Sequence, residues 1–302
     1  MSVDIQHHNV VINGFDMHYA ACGQPGRPLL LFVHGFPECW SAWRAQLKAF
    51  GEHYFAVALD TRGINESSGP DAVSGYRAGH MVRDMAALIE RLGYQQCVAI
   101  GHDWGGAIAC AFALAQPERL RALVMINAVH PGVYRRELVE NPVQQAASAY
   151  MNFFTSEGAV EKIRADDCAY LLDMFSDNGA LPSWLDGATR QSYQQAWSKA
   201  GSVEAGINYY RASALHPATP EDPGASAVFF NDADLQVRVP TLILWGEQDR
   251  FLLRGCLDGV EQYFPQLRVE RIQEGSHWVI HEFPHKINDH LAAFLNELSD
   301  GD

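Results

Sequence analysis

The sequence predicts an α/β protein: a mostly parallel eight-stranded sheet flanked by helices, with an all-helical segment inserted after the sixth strand. Three observations predict it. Short continuous apolar runs alternate with helical stripes up to residue 127 and again from 241 onward, the pattern of a parallel sheet covered on both faces. Between about residues 131 and 223 only helix-like patterns occur, rich in Gln, Ala and aromatics. Finally, the apolar run ending at Ile100 stops in Gly101-His102-Asp103-Trp104-Gly105-Gly106 and restarts as a second apolar run, as a strand turning sharply into a helix would.

In chain order, residues 9–21 read as a hairpin. Asn13-Gly14 supplies the two positive-φ positions of a type I′ turn, and Phe15, Met17 and Tyr19 alternate with Asp16 and His18 as on a half-buried strand. Residues 28–33 form a strand buried on both faces, ending in the turn His34-Gly35-Phe36-Pro37-Glu38. Trp43, Leu47 and Phe50 mark a helix, and residues 54–59 a strand that ends at Asp60. Met81, Met85, Leu88, Ile89 and Leu92 give an amphipathic helix stopped by Gly93. The glycine-framed strand and its helix follow, up to Gln116-Pro117, and then a buried strand over 120–127. Strands resume at 241–245 and 267–272, and a helix carrying Ile287, Leu291, Phe294, Leu295 and Leu298 closes the chain. The expected division is a core of residues 1–130 and 226–302 and a helical cap, or lid, of 131–225, with 217–227 as the hinge back. A lid belongs over the strand ends, where open sheets place their sites.

Composition narrows the function. The chain has 302 residues, 48% of them hydrophobic, ample for a large core. With a formal net charge of −14 and no run of Lys or Arg, nucleic acid and anionic membrane surfaces are poor partners. The opening Met1-Ser2-Val3-Asp4-Ile5-Gln6-His7-His8 lacks the basic and apolar regions of a signal peptide, and apolar runs such as 107–115 are too short to span a bilayer. A cytoplasmic protein without membrane insertion is expected. The 6 cysteines lie in mostly apolar surroundings without metal spacing, so buried reduced thiols are expected; the 13 histidines show no ligand-like spacing either. No metal or organic cofactor is implied.

The glycine-framed turn is a nucleophile elbow, in which the central residue is held at strained dihedrals while strand and helix nearly touch. Serine is usual there; this chain has Asp103. A carboxylate is already ionised at neutral pH and needs no base before attacking. It suits displacement at a saturated carbon, giving an alkyl ester that water then cleaves at the aspartyl carbonyl. That water does need a base. Asp249, just past the strand 241–245, and His277, after the strand 267–272, complete the order nucleophile, acid, histidine of the α/β-hydrolase triad. His277 is the candidate base and Asp249 the residue that orients it. Taken singly, Asp249 reads equally as a turn residue or cap, and a histidine as surface or core; three such residues in this order at three strand ends do not. The backbone N–H groups of Trp104 and Phe36 are the candidate oxyanion hole, and His34 is read as a buried structural histidine.

His34-Gly35-Phe36-Pro37-Glu38, Gly101-His102-Asp103-Trp104-Gly105-Gly106, Trp245-Gly246-Glu247-Gln248-Asp249 and Gly275-Ser276-His277 together resemble the α/β-hydrolase-fold epoxide hydrolases of the soluble, bacterial type. The resemblance runs over essentially the whole chain. It implies a hydrolase acting on ether bonds, with a detoxifying role, that adds water to a small apolar epoxide to give a vicinal diol. It also implies two lid tyrosines donating to the leaving oxygen. One lies in an Asn-aromatic-Tyr-Arg segment, matched by Asn208-Tyr209-Tyr210-Arg211 with Tyr210 at the functional position; the other corresponds to Tyr150. The chemistry asks for them, because an alkoxide leaves poorly and a phenol stays protonated at neutral pH. With 11 tyrosines in the chain, the plain alternative is that these only pack. One departure is Asn65, which stands where the family's Asp-x-Arg-Gly-x-Gly-x-Ser loop has its second glycine; asparagine tolerates left-handed dihedrals, so the turn is expected to survive.

The nearest alternative is a haloalkane or haloacid dehalogenase on the same Asp-His-Asp core. Trp104 suits a halide pocket, but Phe36 stands where an Asn donor is expected, and a tyrosine pair would have no purpose. The fluoroacetate type sets arginines beside the nucleophile, where this chain has Trp104 and Ala107. Asp103 itself excludes a serine esterase. A non-catalytic ligand-binding receptor would leave the charged and donor residues without a use. Phe36, Trp104, Phe153, Phe154, Trp184 and Trp278 are candidates to line an apolar pocket, though each also reads as lid core. A homodimer is left open.

Overall fold

The computed structural model describes residues 4–177 and 179–300. Met1, Ser2 and Val3, at the head of the stretch read for a signal peptide, lie outside the described residues. Eight strands form one sheet: β1 (Gln6–Ile12), β2 (Phe15–Cys22), β3 (Leu29–Val33), β4 (Phe55–Leu59), β5 (Cys97–His102), β6 (Leu120–Ile126), β7 (Thr241–Gly246) and β8 (Leu267–Ile272). Their order across the sheet is β1-β2-β4-β3-β5-β6-β7-β8. The β1–β2 and β2–β4 pairs are antiparallel and every later pair is parallel. All residues of β3, β4, β5 and β7 are buried, because helices cover both faces of a parallel sheet.

The core helices before the insertion are α1 (Arg44–Phe50), α2 (Ala78–Arg91) and α3 (Trp104–Ala115). Between β6 and β7 the chain runs through α4 (Pro131–Glu140), α5 (Pro142–Ala147), α6 (Tyr150–Thr155), α7 (Ala159–Phe175), α8 (Gly187–Ser198) and α9 (Ser202–Arg211), with no strand of the sheet among the described residues. It closes with α10 (Val279–Glu282) and α11 (Pro284–Asp300). α2 packs on α3, and α1 on α11. The inserted helices gather on α9, which α6, α7 and α8 all contact and which buries nearly its whole length. α7 is broken at residues 165–168, where Asp166, Asp167 and Cys168 take left-handed dihedrals. No helix of the described residues is long and apolar enough to cross a membrane.

Local chemistry explains most boundaries. Asn13 and Gly14 both have positive φ, closing the β1–β2 hairpin as a type I′ turn needs. Gly93, with φ +85, ends the turn after α2. All 6 cysteines are buried. One expectation is corrected: His18 does not face solvent but is buried, its Nδ1 2.6 Å from Asp60 Oδ2. β2 is an inner strand, and the carboxylate at the end of β4 gives the imidazole a partner that alternation along one strand cannot reveal.

Candidate active site

β5 delivers Asp103 to the sheet's end at φ +52 and ψ −124, and α3 begins at the next residue. Strain of this kind costs about 1–3 kcal/mol and persists only where the surroundings enforce it. Here the enforcement is steric. A Cβ on Gly101 would lie 2.3 Å from the Gly105 backbone, and one on Gly105 would lie 2.0 Å from the Val33 carbonyl oxygen. Strand, elbow and helix therefore touch at distances that only glycine permits. The Phe36 N–H donates to Asp103 Oδ1 at 2.9 Å. Trp104 is the first residue of α3, so its N–H has no acceptor within the helix.

The other two strand ends converge on Asp103. His277, after β8, places Nδ1 2.7 Å from Asp249 Oδ2 and Nε2 3.5 Å from Asp103 Oδ2. Asp249 Oδ1 accepts the Phe251 and Leu252 N–H groups at 2.8 and 2.9 Å. Its Oδ2 also accepts Asn127 Nδ2 at 2.7 Å. Burial alone would raise the Asp249 pKa, but His277 and these donors outweigh it and hold the carboxyl below the usual range.

Asn127 is a site residue that sequence reasoning passed over as the end of a strand. It takes φ +38, and its Oδ1 accepts the Gly246 N–H at 2.8 Å, so one amide ties the ends of β6 and β7 and aims Asp249. The available signal was the one that found the triad: a polar residue closing an apolar strand. Glu38 and His102, both within the sequence motifs, form a second buried polar group. Glu38 is buried, accepts the Tyr193 hydroxyl at 2.7 Å, and lies 2.6 Å from His281 Nε2 and 3.1 Å from His102 Nδ1. His102 Nε2 in turn lies 2.7 Å from the His277 carbonyl oxygen. Burial pushes the Glu38 pKa up, but His281 and His102 override it and hold it well below the carboxylate range.

Burial pulls the His277 imidazole down, yet the Asp249 carboxylate, joined by Asp103, raises it to about 10. A folded pKa above the unfolded value of 6.5 means that this contribution to stability is fully present below pH 6.5 and is lost as pH rises through about 10. The expected result is that the Tm advantage of the natural protein over His277→Gln shrinks as pH is raised across that window. An advantage that stays flat would show that the imidazole is not held as a cation between the two carboxylates.

Opposite the elbow stand Tyr150 of α6 and Tyr210 of α9. Tyr210 is buried, its ring edge-on to Trp104 at 5.1 Å and to Tyr150 at 6.0 Å between centroids. Burial, reinforced by Asp103, raises the Tyr210 phenol well above its ordinary value; burial does the same for Tyr150. The neighbouring Tyr209 points elsewhere, donating to Thr61 Oγ1 at 2.6 Å and the Arg62 carbonyl at 3.0 Å. Successive residues on one helix thus face the cavity and the loop after β4 separately. Asp103, Trp104, Tyr134, Tyr150 and Tyr210 line one apolar cavity of about 160 Å³.

Of the six candidate pocket aromatics, Trp104 lines this cavity. Phe36 flanks it, its ring edge-on to Tyr210 at 5.5 Å. Phe154 flanks it in the same way, 4.9 Å from the Tyr210 ring; beside Trp104, Tyr134, Tyr150 and Tyr210 the wall comes mostly from small and aliphatic residues. Phe153 and Phe154 lie against Tyr170, Trp184 stacks on His281 at 4.2 Å, and Trp278 Nε1 donates to the Met174 carbonyl. His34 is buried, with Nδ1 2.8 Å from the Gly35 carbonyl and Nε2 accepting the Thr61 N–H at 3.1 Å. Asn65 takes φ +53 and its Nδ2 donates to Asp60, so the loop keeps its turn without the second glycine.

The sheet order, the elbow and the histidine between two carboxylates define an α/β-hydrolase-fold protein, and residues 28–284 match the alpha/beta hydrolase fold family. Epoxide hydrolase 4 of Mus musculus is 33% identical over 94% of this chain and 77% of its own length, and epoxide hydrolase 1 of Caenorhabditis elegans is 32% identical over 93% and 68%. Among solved structures, the Bacillus megaterium epoxide hydrolase in complex with an inhibitor superposes with a TM-score of 0.88 at 35% identity, covering 96% of this chain and 100% of that one. The chain belongs to this family and, within it, to the epoxide hydrolases.

Proposed function

We propose that this protein hydrolyses epoxides to vicinal diols through an ester on Asp103. The observation that carries the reading is that Asp103 shares one apolar cavity with Tyr150 and Tyr210, a nucleophile and two phenols held protonated. Asp103 Oδ2 attacks an oxirane carbon and the C–O bond breaks, with the phenols donating to the departing oxygen. Asp103 Oδ1, on the Phe36 N–H, becomes the ester carbonyl oxygen and is already placed where the second step builds negative charge. Esterification also removes one of the two carboxylate charges that hold the proton on His277. The imidazole can then release that proton, replacing the one given to the alkoxide, and serve as base. Water adds to the aspartyl carbonyl and His277 takes one of its protons; as the oxyanion collapses, the departing oxygen takes the other, from the new hydroxyl, so that the diol is freed and Asp103 is again a carboxylate beside protonated His277. Residues 131–225 act as the lid that brings the phenols over the elbow and excludes bulk water.

This route puts the oxygen of water into the enzyme before it reaches any diol. In a single turnover in ¹⁸O-water, diol free of label and a labelled peptide containing Asp103 are expected by mass spectrometry. Label in the first diol formed would mean direct attack of water on the epoxide and would remove Asp103 as nucleophile. Halide release from haloalkanes with no epoxide consumed would replace the reading with the dehalogenase one.

A further inference from the structure

Of the residues that line the cavity at Asp103, only Ala78 is exposed, and it marks the open end. Towards β6 and β7 it is closed by Val129, Tyr134, Met151 and Leu252, all buried. In the other direction it follows α3. Trp104, Ala107, Ile108 and Ala111 are spaced i, i+3, i+4 and i+7, one helix face running about 10 Å from the elbow. The run ends beside Ala78, the exposed first residue of α2. Its walls at positions 78, 107 and 111 are all alanine, and any longer side chain there would project into the path. No charged side chain other than Asp103 lines the cavity. Its volume, about 160 Å³, is close to that of the roughly 150 Å³ apolar cavity that holds a benzene, so a long substituent cannot be enclosed and has to leave by the open end.

We infer that the alanine-walled run along α3 is a substrate channel that selects epoxides substituted on one carbon only, with a slender, uncharged apolar tail. The oxirane lies at Asp103, its unsubstituted carbon toward the blind end, and the tail passes Ala107 and Ala111 and emerges at Ala78. A substituent on the second carbon would meet Val129, Tyr134 and Leu252. The inference rests on the epoxide hydrolase reading above.

The test compares kcat/KM for 1,2-epoxybutane, 1,2-epoxydecane and the internal isomer 5,6-epoxydecane in the natural protein, Ala111→Phe and Ala78→Trp. In the natural protein 1,2-epoxydecane should be favoured over 5,6-epoxydecane by at least about tenfold, roughly what the loss of two buried methylenes is worth. Both substitutions should lower the ratio of 1,2-epoxydecane to 1,2-epoxybutane kcat/KM by about the same factor. Ala78→Trp changes an exposed position, so the test stands even if Ala111→Phe disturbs the packing of α3 on α2. Epoxides consumed with that ratio unmoved in Ala78→Trp, or the internal isomer turned over as fast as the terminal one, would overturn the channel alone. If no epoxide is consumed by the natural protein, the reaction assignment falls and the channel falls with it.

Discussion

Replacing His277 with Gln should yield a protein that alkylates itself once and stops. Asp103 needs no base to attack, so the first step survives the change, whereas hydrolysis of the ester loses the group that takes the proton from water. Steady-state turnover is expected to drop by about 10³–10⁴-fold, the upper part of what a positioned base contributes. Intact-protein mass spectrometry should then show one substrate mass added per chain, on the peptide containing Asp103. The substitution is structurally gentle, because Asp249 keeps the Asn127, Phe251 and Leu252 donors and glutamine can offer an N–H where Nδ1 stood. A folded His277→Gln protein that stays unmodified under saturating epoxide would sink the ester route.

The opposite signature is expected from Tyr150→Phe with Tyr210→Phe. Here the first step is crippled, because the alkoxide departs into an apolar cavity with no donor. Loss of a single well-placed donor costs about 10²–10³-fold, and each tyrosine partly covers for the other, so the double variant should lose more than either single change. The expected result is alkylation of Asp103, followed by stopped flow or quench and mass spectrometry, slowed by at least about 10³-fold with no adduct accumulating. Combining the pair with His277→Gln should abolish the adduct that His277→Gln alone traps. A halide leaves without a proton, so a double variant that still alkylates at the natural rate would remove the phenols from the chemistry and favour the dehalogenase reading.

Much of this site could be read because its residues sit where the chain changes periodicity. Asp103, Asp249 and His277 each follow an apolar strand, and a polar residue ending such a run is visible in one dimension. The glycines at 101 and 105 are visible for the same reason, since backbones that approach to about 2 Å of a would-be Cβ leave no other residue type. Asn127 carried the same mark and was overlooked because it bears no charge. Glu38, His102 and His281 could not be joined into one buried cluster from sequence, since the partners come from a loop, a strand end and a helix far apart in the chain. The pocket aromatics show the same limit. Whether Trp184 faces the cavity or stacks on His281 depends on how the segment before α8 meets α10, and aromatic content is indifferent to that.

The sequence by itself determined the class of fold, the identity of the elbow residue and the order of the three polar strand ends, because period, turn chemistry and covalent order are local properties of a chain. Tertiary structure alone decided what Tyr209 binds instead of the cavity, how Asn127 holds Asp249, and which side chains line the cavity. Those are outcomes of packing, in which the rotation of one helix against another assigns each side chain to solvent, seam or site. Asp103 could be recognised from its neighbours in the chain; what it meets across the cavity is settled only when α6 and α9 close over it.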